Sequence, residues 1–398
     1  MTFATFLHEQ QSKIFAQPWP VIPAALVIAA LNVFLFAFDR PWTASDGLRN
    51  WGDVLLQSAG ITHQNDLLPP LLYSGSVLNI GLLFGAFAAA LLSREFAIRR
   101  APGAELVKGG FGGLLMGSGA MLSFGCNVGG FFSALSALSL SGLGMMAGLV
   151  LGAFMATRYL ILENKRRIEA GRLPFSTACA APPCPAASSL AFKAQPVCGA
   201  LMVSSLIAAG VVYHQLGHAR LAAFLFFGVA LGVILQRSRF CLVNAFREPF
   251  MSGESEHARG AALALILSTI GFAILKAMDL KDATEWVFPS FWYGSVMGGI
   301  VFGAGMVLAG GCGAGSIWRA GEGHVKLCVA VLFFAIGSSC TRLVLVRTDL
   351  INSLGSPFFL PNIIGWASAL SSIVLMMVIW YLLCAWNEQR YSTGVVKF

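Results

Sequence analysis

The sequence predicts an all-α polytopic membrane protein of about ten crossings, two of them broken at glycine-cysteine segments, arranged as two inverted-repeat halves. Three observations lead there. The chain of 398 residues is 57% hydrophobic and only 11% charged, whereas a soluble domain carries about 25% charged residues. Apolar runs of spanning length recur from one end to the other. One glycine-rich segment occurs twice, each time around a cysteine.

Taken in order, apolar runs lie near 19–38, 71–92, 141–162, 196–213, 219–236, 260–278, 325–346 and 361–384. Each approaches the roughly 17–25 residues that a spanning helix needs. Two further spans, near 109–140 and 290–322, are interrupted by glycine and cysteine. The first run has no clear small-residue cleavage site before Asp39, so it reads as a first span rather than a cleaved leader. Ten crossings put both termini on one side. With that side inside, the outer loops hold only Arg40, Arg49, Arg220, Lys276, Lys281, Arg342 and Arg347, and the remaining Lys and Arg lie inside. The positive-inside rule then favours cytoplasmic termini. The net charge of +8 follows from this topology. No basic stretch interleaved with aromatics suggests nucleic-acid binding.

The chain divides into a first membrane half, 1–162, a linker, 163–195, and a second membrane half, 196–398, forming one integrated unit. The linker is basic, then rich in Pro, Ala and Ser, the composition of a cytoplasmic loop. Cys179 and Cys184 lie there as C-x4-C without the second pair that a metal site would need, so the spacing is compatible with incidental thiols.

Gly112–Gly129 reads GGLLMGSGAMLSFGCNVG, and Gly298–Gly315 reads GGIVFGAGMVLAGGCGAG. At an offset of 186 they share eight of 18 positions, including Cys126 with Cys312. On the predicted topology the copies run in opposite directions, and inverted repeats with broken helices commonly place a substrate site between them. Gly125 and Gly129, like Gly311, Gly313 and Gly315, can interrupt a helix inside the membrane, which is tolerated only where the backbone lines a cavity or is buried in protein. A half-helix beginning after each cysteine would turn free N–H groups toward an anion, with Asn127 and Ser316 as neutral donors. Close helix packing is the competing account. It suits Gly112/Gly113 and Gly298/Gly299 better than the Gly-Cys pairs, where Ala or Ser would pack as well as a thiol.

A third thiol, Cys241, follows Gln236-Arg237-Ser238-Arg239-Phe240, with the arginines at the inner mouth of a span. A positive-inside anchor beside an incidental thiol is the plainer reading. Gly81–Arg99 is a faint first-half counterpart without the cysteine. Arg319 and Glu322 lie past Cys312, as an inner vestibule or as a surface ion pair. His214 and His218, at i and i+4, lack a further ligand nearby, so no metal is expected. No nucleotide-binding motif occurs, and no cofactor is expected.

FGCN at Phe124–Asn127, QRSRFCLVNAFR at Gln236–Arg247, and LAGGC with WRAGEG across Leu308–Gly323 together resemble the YeeE/YedE family of inner-membrane sulfur-compound transporters. The similarity extends over about residues 20–385, and its first half looks closer to the branch described as selenium transporters. The resemblance implies a pseudo-twofold bundle with a narrow central path. Cys126 and Cys312 match its two GC thiols, and Cys241 its FC thiol, all serving a passing sulfur anion. It implies a transporter of thiosulfate, with a cytoplasmic TusA-type sulfurtransferase as partner. Selenium compounds, sulfite and sulfide are alternative substrates. A membrane thiol or persulfide redox enzyme is an alternative of another class, although no C-x-x-C pair lies in the spans.

Overall fold

Where no water reaches the backbone, each N–H and C=O must be satisfied within its own segment, so apolar sequence becomes helix. The computed structural model describes residue 15 and residues 17–62, 66–171 and 190–392. Among these, extended pairing is limited to isolated bridges of Arg99 with His324, Ser139 with Phe359 and Phe291 with Ser356. The helices are α1 (Val21–Phe38), α2 (Ser45–Ser58), α3 (Ser74–Leu92), α4 (Gly103–Leu122), α5 (Asn127–Ser136, opening with a π turn), α6 (Leu140–Glu169) and α7 (Leu190–Gln215). They continue with α8 (Ala219–Ser238), α9 (Leu242–Met251), α10 (Glu256–Ala277), α11 (Tyr293–Ala309), α12 (Gly313–Gly321), α13 (Val325–Arg347), α14 (Leu360–Ile364) and α15 (Trp366–Ser392).

Among the described residues, nine helical spans are long and apolar enough to cross a membrane. The number reaches ten when α4 and α5, bent by 41° at their junction, count as one broken span. Each expected apolar run has its helix. The sequence reading missed α2 and α9, which are short and carry charge (Asp46, Arg49 and Asp53; Arg247 and Glu248). Helix α6 continues to Glu169, into the segment read as linker. Cys179 and Cys184 lie outside the described residues.

The core is built on glycine. Helices α4 and α11 cross antiparallel: a Cβ on Gly112 would stand 2.7 Å from the Gly305 carbonyl, and one on Gly119 2.6 Å from the Gly298 carbonyl. Small residues let backbones approach this closely. At the offset of 186, Gly112 corresponds to Gly298 and Gly119 to Gly305. The contact therefore maps onto itself when the two copies exchange. The remaining packing repeats the exchange. Helix α4 lies along α13 as α11 lies along α6, α3 along α8 as α10 along α1, and α7 covers α3 as α15 covers α10. Large apolar side chains, among them Phe34, Val107, Phe111, Leu151, Leu201 and Leu382, point outward, as they do where lipid is the solvent.

Candidate functional site

All three thiols singled out in the sequence occupy the same local structure. Each is the residue just before a helix: Cys126 before α5, Cys241 before α9 and Cys312 before α12. Two residues earlier the backbone turns left-handed, at Phe124 (φ 59°), Arg239 (φ 59°) and Gly310 (φ 83°). Only at Gly310 is that conformation free of the usual Cβ penalty. Cys126 and Cys312 have nearly the same backbone, φ −74° and ψ −178° against φ −83° and ψ −174°. Each carbonyl accepts from the residue four on, Gly130 N–H at 2.6 Å and Ser316 N–H at 2.7 Å. Gly125 is required for space, since a Cβ there would stand 2.4 Å from Gly130 N.

The breaks face each other at the centre of the bundle. A Cβ on Gly313 would lie 3.7 Å from that of Cys126. The thiols of Cys312 and Cys241 converge on Gly315, whose missing Cβ would be 3.1 Å from one sulfur and 3.3 Å from the other. Gly315 N–H also donates to Cys312 Sγ at 3.3 Å. All three cysteines are free and buried. Around them sit polar atoms without hydrogen-bond partners: both ends of the Asn127 amide and the Ser316 hydroxyl. A buried polar group left in this state costs on the order of 1–3 kcal/mol.

The sequence pairing of Gly81–Arg99 with the Cys241 segment needs correction. Helices α3 and α8 pack side by side and parallel, with Gly81 on Leu225 and Gly228, and Gly232 on Leu82 and Ala86. Their similar glycine spacing reflects this shared seam rather than descent from one repeat unit. The first-half position that answers to Cys241 is Thr43, in the loop between α1 and α2. Its Oγ1 is 4.0 Å from Cys126 Sγ. A Cβ on Gly129, the counterpart of Gly315, would meet Thr43 Oγ1 at 2.5 Å. Trp42 N–H donates to Asn32 Oδ1 at 2.8 Å and Ser133 Oγ donates to Trp42 O at 2.9 Å. Asn79 Nδ2 donates to Ala44 O at 2.9 Å. These bonds fix the loop, and no motif announced it.

On one side of the breaks lies a cavity of about 300 Å³ whose lining includes Thr43, Ser45, Asp46, Arg49, Phe124 and Arg342. On the other side a charged network gathers. Glu322, at 0% exposure, meets Arg239 at 3.1 Å and accepts from Gln236 Nε2 at 3.0 Å. Glu95, which sequence reasoning passed over, meets Arg239 at 2.9 Å and Arg237 at 3.3 Å. Arg237 is 1% exposed and also donates to Gln17 O at 2.7 Å. The surface pair of Arg319 with Glu322 is not what forms. Arg319 donates to Gly310 O at 2.9 Å and lies over Trp318, tying the network to the break before Cys312. Burial pushes the Glu95 carboxyl upward, but Arg239 and Arg237 outweigh it and hold the group below the usual carboxylate range. At Glu322 burial prevails over Arg239 and Arg99, and the carboxyl sits above that range. Burial, with Arg99 and Arg319, takes His324 down to about 4.

Known proteins give this arrangement a context. A family model described as sulphur transport matches residues 4–155 and 237–396, well over half of the chain. The chain is 26% identical over 355 residues to a probable transporter YedE of Escherichia coli (strain K12), covering 85% of this chain and 84% of that protein. It is 36% identical over 116 residues to the thiosulfate transporter TsuA of the same organism, covering 29% of this chain and 32% of that one. TsuA of Spirochaeta thermophila is also 36% identical, over 115 residues. An all-helical, multi-span bundle with twin broken helices and a family match over both halves leaves one assignment: the chain is a membrane transporter, not an enzyme, and belongs to the YeeE/YedE family of sulphur transport proteins.

Proposed function

We propose that this protein imports a small sulfur anion, thiosulfate first among candidates, along a central path lined by Cys126, Cys312 and Cys241. The observation that carries the reading is the set of three free thiols at facing helix breaks, two of them meeting over Gly315, with the unpartnered amide of Asn127 and hydroxyl of Ser316. A thiol is a weak, polarisable donor. Neutral donors and the N-terminal ends of α5 and α12 favour a negative charge without holding it tightly, and conduction needs weak binding at several points. Gly125, Gly311 and Gly313 open the backbone there. Arg237, Arg239, Arg319 and Glu322 line the exit. The distribution of Lys and Arg supports cytoplasmic termini and puts the Glu322 network inside. A gradient, or consumption by a cytoplasmic TusA-type sulfurtransferase, would drive inward movement.

The test is uptake of radiolabelled thiosulfate in cells without their own importers, with Cys126→Ala and Cys312→Ala beside the parent. Uptake by the parent with loss in both variants is expected. A parent that carries no thiosulfate removes that substrate, and normal uptake by both variants removes the thiol role.

A further inference from the structure

We infer that Thr43 sets the specificity of the path, by placing one hydroxyl corner opposite a thiol pair so that the path selects anions with oxygen at one end and a soft sulfur or selenium atom at the other. The inference rests on the transport reading above and adds a residue to it. At the Cys312 break, two sulfurs meet over Gly315; at the Cys126 break, the same place over Gly129 holds the Thr43 oxygen. The bundle is pseudo-symmetric in its packing but not in its donors.

The hydrogen-bond inventory leaves one hydroxyl proton available at the Thr43–Ser45 pair. Cys126 N–H donates to Ser45 Oγ at 3.1 Å. Thr43 Oγ1 and Ser45 Oγ stand 3.1 Å apart and either can donate to the other, so one of their two hydroxyl protons is spent between them and one is left over. The other partner within reach of Thr43 Oγ1 is the Cys126 sulfur, at 4.0 Å. That is too far for a strong bond to a weak acceptor. Thr43 and Ser45 both line the 300 Å³ cavity. Charges on that wall come from Asp46, Arg49 and Arg342. Asp46 is taken by Arg40. Arg49 and Arg342 share the one carboxylate of Asp53, at 3.5 and 3.8 Å. An anion arriving there meets two half-satisfied guanidiniums, then two hydroxyls, then Cys126. Hydrogen bonds to charged oxygens are strong where those to a terminal sulfur are weak. An oxygen end is held at Thr43, and a soft end passes more readily to the thiols of Cys312 and Cys241.

The experiment compares Thr43→Val, which keeps the shape and loses the hydroxyl, with Thr43→Ser, which keeps the hydroxyl. Each is measured at matched membrane abundance for the concentration of thiosulfate that half-saturates uptake, and for inhibition by thiocyanate, a soft anion without oxygen. Thr43→Val is expected to raise the half-saturating thiosulfate concentration about tenfold and to leave thiocyanate inhibition within twofold of the parent; Thr43→Ser is expected to match the parent in both. The inference is overturned if Thr43→Val leaves thiosulfate unchanged, if it alters thiocyanate inhibition as much as thiosulfate uptake, or if Thr43→Ser fails as Thr43→Val does. If the parent carries no thiosulfate, the transport reading fails first, and the inference falls with it.

Discussion

Gly315→Ala separates a thiol pair that handles substrate from one that merely packs. The new methyl would stand 3.1 Å from Cys312 Sγ and 3.3 Å from Cys241 Sγ, about half an ångström inside ordinary contact distance. Both neighbours are ends of side chains, so each thiol can turn aside. Overpacking of this kind costs about 1–3 kcal/mol. Gly315 is the third residue of α12, where Ala in place of Gly returns about 1 kcal/mol of helix stability. The net loss is therefore about 0–2 kcal/mol, and the variant should fold. Its methyl, however, fills the space between the two sulfurs through which an anion would pass. Thermal unfolding in detergent should show a small shift, while thiosulfate uptake at matched abundance falls about tenfold or more. Uptake within twofold of the parent would refute the argument that the two thiols share a substrate between them.

Other perturbations read other parts of the structure. Gly310→Ala puts a Cβ on a residue at φ 83° with nothing nearby; the strain alone predicts about 1–2 kcal/mol of lost stability in the same unfolding assay. Gly148→Ala would force a Cβ to within 2.3 Å of the Val296 backbone oxygen on α11; since backbone cannot turn aside, a loss of about 2 kcal/mol or more is expected by thermal unfolding. At pH 7, Glu95→Gln should lower the unfolding temperature by about 2 °C or more, and Glu322→Gln by less. The first carboxyl is held low by Arg239 and Arg237, so its ionised form stabilises the fold, an effect lost only as pH falls through its lowered value. The second is raised by burial, so its charge is a burden at neutral pH and a neutral amide suits the site. His324, taken down to about 4, is neutral in the fold and protonates more readily unfolded, so stability should fall as pH drops from about 6.5 toward 4. His324→Gln should flatten that part of the unfolding-temperature profile.

The spans, the duplication and the sites of the breaks are written along the chain. Long apolar runs have one solution in a bilayer, and the paired Gly-Cys segments at an offset of 186 mark where helix gives way. Cys126 and Cys312 stood out because a thiol among glycines, which a helix does not need, recurs at the offset of 186; Cys241 stood out through the RSRF run before it, and Asn127 and Ser316 through their places beside the breaks. Thr43, Ser45 and Glu95 were not legible. Thr43 and Ser45 lie in and after a short loop whose sequence has no repeat partner, and threonine beside serine is ordinary anywhere. Glu95 looked like one more charge at the end of a span. Only packing decided their roles: antiparallel crossing of α4 and α11 through Gly112, Gly119, Gly298 and Gly305 sets the two halves face to face. That crossing puts Thr43 over Cys126 as Cys241 stands over Cys312, and folds Arg237 and Arg239 onto Glu95 and Glu322. Periodicity along a chain records which residues must be small or apolar; it does not record which polar atoms, far apart in sequence, will be left facing one another once the helices close.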